Sequence, residues 1–196
     1  DKNGELIWID DPRFDPVFDY IRNKGKTLMG HLGEPKNCWL PLDSMTTNND
    51  RNYFTRHPEY HMYQHPDMPS YQDQVDARDR MLSRQPDLTF VGAHLGSLEW
   101  SVDELAKRLE KFPNMAVDLA ARMGQIFYQT AENREKVRDF FIKYQDRILY
   151  GTDMGDHGTS SPEDLTSGMD KVWKNHWQFF VTDEFMESEL INESFQ

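Results

Sequence analysis

The sequence predicts an α/β fold built from parallel strands joined by helical crossovers. Short apolar runs of strand length alternate along the chain with longer segments of helical periodicity. The strand-length runs are apolar throughout rather than alternating, the pattern of strands covered on both faces. A helix pattern follows each run, so neighbouring strands must pair in parallel through right-handed crossovers.

The elements follow in order. Residues 6–9 are a short apolar stretch ending in Asp10-Asp11. A helix is expected from about Asp15, which is placed to cap it, with Pro16 at its first position. Val17, Phe18, Tyr20 and Ile21 supply its apolar stripe and Gly25 stops it. Residues 27–30 form a strand ending at His31. Residues 32–69 are irregular and rich in Pro, Asn, Asp, histidine and aromatics, and that aromatic content favours an ordered, packed excursion.

Ser70 and Asp73 stand at capping-box spacing for a helix running to about Gln85. The next strand, residues 89–93, ends at His94. Ser101 and Glu104 repeat the box spacing before Val102, Leu105, Ala106 and Leu109. Residues 115–117 form a strand ending at Asp118, and a helix is expected over roughly 133–144. Residues 147–150 lead into Gly151-Thr152-Asp153, and Ser161-Pro162 starts a last helix. No composition shift divides residues 1–196 into two domains.

Composition narrows the function classes. Hydrophobic residues make up 37% and charged residues 29% of 196, the balance of a globular protein. The net charge of −12 and pI near 4.9 repel nucleic acid and anionic lipid, so neither is expected as a partner. No apolar run approaches the ~18–20 residues that span a bilayer. One cysteine, Cys38, excludes an internal disulfide. A cytoplasmic location is the default expectation.

His31, His94 and Asp153 each stand just after the apolar run of a different strand, where parallel topology gathers them at one end of the sheet. Imidazole with carboxylate suits Zn²⁺, Mn²⁺ or Fe²⁺ better than Ca²⁺. Each also has a bland alternative: a hydrogen-bonded structural histidine, or an aspartate capping the next helix. Asp118 is expected to be structural. His57, His61 and His65 form a second group, either a solvated loop or a pocket wall.

Four segments resemble the amidohydrolase superfamily: Gly30-His31-Leu32-Gly33-Glu34-Pro35, Phe90-Val91-Gly92-Ala93-His94-Leu95-Gly96, Pro113-Asn114-Met115-Ala116-Val117-Asp118, and the run from Tyr144 to Gly151-Thr152-Asp153. The nearer likeness is to the branch of aminocarboxymuconate-semialdehyde decarboxylase and related hydrolases. The resemblance implies a TIM-type (β/α)₈ barrel, with residues 1–196 forming its C-terminal portion, roughly strands 4/5 to 8. It implies one divalent metal ion, Zn²⁺ first and Mn²⁺ or Fe²⁺ as alternatives, with His31 and Asp153 as ligands. It makes Asp153 and His94 the catalytic pair. The family's His-x-His pair occurs nowhere in this sequence, so these residues alone are expected to be inactive.

Arg122, four residues beyond Asp118, is the candidate for a substrate carboxylate. His61 and Trp177 are further candidates for substrate contact. The expected activity is hydrolysis of a small carbonyl substrate (amide, ester or lactone) by metal-activated water. The alternatives are decarboxylation of an aromatic or unsaturated acid, and a non-catalytic barrel that has lost its metal. A homodimer is expected from the resemblance alone.

Overall fold

The computed structural model describes residues 4–196 except 157 and 159. Four parallel strands form one sheet in the order β1 (Leu28–Gly30), β2 (Phe90–Gly92), β3 (Met115–Asp118), β4 (Ile148–Leu149). Leu28 pairs with Phe90, Phe90 with Met115, and Val117 with Ile148. Neighbours in sequence are thus neighbours in space at every step, as in a stretch of barrel wall. The helices are α1 (Asp15–Asn23), α2 (Asn48–Arg56), α3 (Tyr71–Arg84), α4 (Val102–Lys111), α5 (Met123–Glu132), α6 (Arg134–Tyr144) and α7 (Pro162–Val181). The chain is a partial (β/α) barrel.

Local chemistry sets most helix starts. Ser70 and Asp73 complete a reciprocal capping box at α3, while Ser161 caps α7 through Asp164 N. At α4 only half the expected box forms. Ser101 Oγ accepts from Glu104 N, but the Glu104 carboxylate turns to Lys107 and Arg108. Asp15 does not cap α1. It lies inside the helix, and Asp11 instead caps the single 3₁₀ turn that precedes it. Residues 6–9 form no strand, with Leu6 and Ile7 exposed to solvent.

The core lies between the sheet and its helices, where Phe90, Leu105, Leu109, Met115, Ile126 and Phe127 are fully buried. Arg147 fastens the end of α4 to β3. Its Nε donates to Met115 O at 2.6 Å, Nη1 to Leu109 O at 2.9 Å and Nη2 to Phe112 O at 2.6 Å. The excursion over residues 32–69 is ordered as expected, around a small core of Cys38, Met45 and Phe54. Burial there pushes the Cys38 thiol up to about 11, which keeps it protonated and unreactive.

Among the described residues neither β1 nor β4 has a strand on its outer edge. Met29 on β1 is 61% exposed. Beside β4, Tyr150, Phe141, Trp173, Trp177 and Phe180 line an apolar groove of about 1040 Å³. Open parallel edges next to apolar surface favour association. Residues 1–196 expressed by themselves are therefore expected to bind a hydrophobic dye such as anilinonaphthalene sulfonate and to self-associate. A monodisperse, dye-silent monomer in sedimentation velocity would contradict this.

Candidate active site

The site is built from strand ends. Gly30 of β1 is in register with Gly92 of β2, so His31 and His94 emerge side by side. Their rings meet edge to face with centroids 4.6 Å apart. His94 is the better fixed of the two. Its backbone N–H donates to Asp118 Oδ1 at 2.8 Å, and its ring Nδ1 lies 2.8 Å from Ala120 O. A carbonyl can only accept, so Nδ1 carries the proton, and in the neutral ring Nε2 presents its lone pair. Asp118 Oδ1 also takes Ala120 N at 3.1 Å, which makes it the structural residue the sequence suggested: it fastens the end of β2 to the turn after β3.

The backbone at His94 is unusual. His94, Leu95, Gly96 and Ser97 all have φ between 57° and 60°, one complete left-handed turn. Each non-glycine residue there costs about 1–2 kcal/mol. Nothing in the sequence beyond Gly96 announces it.

His31 is half exposed, with Nε2 4.0 Å from Glu34 Oε1. Asp153 is exposed and has φ of 61°. Ala121 N donates to Thr152 O at 3.3 Å, so the end of β4 borders the turn whose carbonyl holds His94. The structure thus joins His31 to His94 and places Asp153 further along the same rim. Imidazole and carboxylate are suitable donors for Zn²⁺, Mn²⁺ or Fe²⁺. Among the described residues, however, no three His, Cys, Asp or Glu side chains form a group able to hold a metal ion. A catalytic zinc needs three protein ligands and an open position, so the donors present do not by themselves fit one.

Arg122 sits at the start of α5 with Nη1 3.2 Å from Ala121 O, while its buried Nε has no hydrogen-bond partner. No ion pair reaches it among the described residues. The carboxylate that acts on it is Glu99, only 2% exposed. Glu99 Oε1 accepts Lys36 N at 2.8 Å and Oε2 is unpartnered. Burial pushes Glu99 up to about 7, against the pull of Arg122. Sequence reasoning missed Glu99. The available signal was an acid between Leu98 and Trp100 in an otherwise apolar stretch. Close by, Asp50 is buried and satisfied by Asn37 and Gln125, each at 2.8 Å.

The other two candidates lie elsewhere. His61 is 1% exposed inside the excursion, its Nε2 2.8 Å from Leu40 O and its Nδ1 3.2 Å from Gln64 Nε2. With both ring nitrogens engaged it is a structural histidine rather than a substrate contact. Trp177 lines the groove beside β4, whose lining includes none of His31, His94, Arg122 and Asp153.

Fold and rim together define a barrel protein with paired histidines and a carboxylate at the C-terminal ends of its strands. The chain belongs to the amidohydrolase family, whose model matches residues 3–184. That membership agrees with the branch suggested by the Gly-Thr-Asp153 and Ala-His94 segments. No curated protein matches the chain. Among solved structures it is similar to an uncharacterised TIM-barrel protein of Bordetella bronchiseptica, with 18% identity and a TM-score of 0.46. The match covers 84% of this chain and 45% of that one. Among the described residues no helix is long and apolar enough to cross a membrane.

Proposed function

We propose that the chain carries the histidine–aspartate side of the active site of a metal-dependent hydrolase acting on a small carbonyl substrate, an amide, ester or lactone. The observation that carries this reading is His94, held in one tautomer beside His31 with Nε2 free to accept a proton or a ligand bond. Family membership supports a hydrolytic or related metal-dependent activity. A divalent ion would supply Lewis acidity at this rim. The open edges of the sheet support donors brought by further polypeptide, on this chain or another, as the rest of its coordination sphere.

The roles of the chain's own groups follow from their chemistry. His94 Nε2 would take or return a proton at the substrate, and Asp153 would serve as metal ligand and as base. Arg122, whose Nε has no hydrogen-bond partner and which no ion pair reaches among the described residues, orients a substrate carboxylate. The same guanidinium favours one second reading, decarboxylation of an unsaturated or aromatic acid.

The test is metal content of the protein as its gene produces it, alongside His31→Ala and Asp153→Asn. The wild type is expected to carry about one divalent ion per chain, and each variant to lose most of it. Equal metal in all three, or none in the wild type, would remove the reading. Carbon dioxide release against lactone or ester opening then separates the two chemistries.

A further inference from the structure

We propose that Tyr71 and Arg78, two buried side chains of α3, are positioning residues that hold the left-handed turn and thereby fix the tautomer and aim of His94. A run of four residues with positive φ does not persist unaided. Its internal bonds, Ser97 N to His94 O and Leu98 N to Leu95 O at 3.1 Å, would survive a change of hand in altered form. Its external bonds would not. Arg78 Nη1 donates to Gly96 O, and Tyr71 OH donates to Ser97 O.

Both donors are themselves held. Arg78, 2% exposed, is fixed through Nε and Nη2 by Asp79 Oδ1 at 3.1 and 2.8 Å. Asp79 Oδ2 is in turn held by Arg108 Nε at 3.2 Å. Tyr71 OH accepts Trp100 Nε1 at 2.8 Å. At the other end of the turn, Asp118 grips His94 N. The segment bearing His94 is thus clamped from β3 on entry and from α3 on exit, and the ring has one carbonyl, Ala120 O, within reach of Nδ1. Ser97 Oγ also donates to Gly33 O, which ties the turn to the loop carrying His31. Strain at a functional residue persists where surrounding bonds over-determine it, and here they come from β3 and from α3, the helix that precedes β2.

The test reads the ring directly and requires no activity, so its failure leaves the hydrolase reading standing. Ring nitrogens of the histidines are observed by ¹⁵N-resolved NMR in wild type, Arg78→Met, Arg78→Lys and Tyr71→Phe. In the wild type His94 is expected to show one protonated Nδ1 and one unprotonated Nε2 resonance. In Arg78→Met and Tyr71→Phe the two should move toward the averaged values of a freely exchanging imidazole. Arg78→Lys, which keeps a cationic donor, should restore part of the separation. A lowered melting temperature with the His94 signature unchanged would show the two residues to be merely structural and overturn the proposal. Should Arg78→Met fail to fold, Tyr71→Phe, which removes one oxygen, decides it.

Discussion

Replacing Glu99 by Gln should remove about 3 kcal/mol of pH-dependent destabilisation between pH 4.5 and 7. Burial raises the carboxyl from 4.5 to about 7 in the folded chain, and each unit is worth 1.36 kcal/mol. Across that window the folded state keeps the proton while the unfolded state has released it. Stability contributed by Glu99 is therefore present below pH 4.5 and lost as pH rises to 7. Arg122 and the Lys36 amide favour the ionised form and Asp50 opposes it, but the desolvation of a fully buried carboxylate outweighs them.

His176 works in the opposite sense. Burial lowers its pKa, so its contribution grows as pH rises toward the ordinary histidine value. Urea unfolding of wild type and Glu99→Gln, compared at several pH values, separates the two groups. The stability of the variant relative to wild type should climb by about 3 kcal/mol from pH 4.5 to 7 and then level off. A difference that stays constant over this range would show that Glu99 ionises freely in the folded protein.

The pH behaviour of Glu99 shows what sequence could and could not reveal. The ends of β2 and β3 were legible because burial writes itself as a continuous apolar run, which His94 and Asp118 interrupt, and β1 reads the same way in sequence although its Met29 is exposed. The starts of α3 and α7 were legible because a cap is a contact between residues three apart. Contacts distant in the chain were not legible. Asp15 does not cap α1 because an additional 3₁₀ turn, itself capped by Asp11, precedes the helix and leaves α1 without a side-chain cap. α5 passed unseen because Arg122 precedes it with no capping side-chain bond. The environment of Glu99 depends on Lys36, Asp50 and Arg122, brought together only by the fold. The left-handed turn depends on Tyr71 and Arg78, some twenty residues upstream.

Gly92→Ala should destabilise the protein by about 3 kcal/mol, the upper end of what overpacking costs. The backbone of Gly92, φ −76° and ψ 107°, accepts any residue, so the penalty is purely steric. A Cβ there would stand 2.8 Å from Gly96 Cα. That atom is backbone, in a turn whose carbonyl Arg78 holds, and it has no side-chain freedom with which to retreat. Two other strand-end glycines calibrate the effect. At Gly30 the closest atom is Leu32 Cγ, also at 2.8 Å, but a leucine can change rotamer, so Gly30→Ala should cost about 1 kcal/mol. At Gly151 nothing lies nearer than 3.6 Å, and alanine there should be neutral or stabilise by about 0.5 kcal/mol through the unfolded chain. Thermal unfolding of the three variants should therefore rank Gly92 far below Gly30, with Gly151 at or above wild type. Were Gly92→Ala as stable as Gly151→Ala, strand and turn would have room to part, and the hold of α3 on the His94 turn would lack the fixed backing that makes it a clamp.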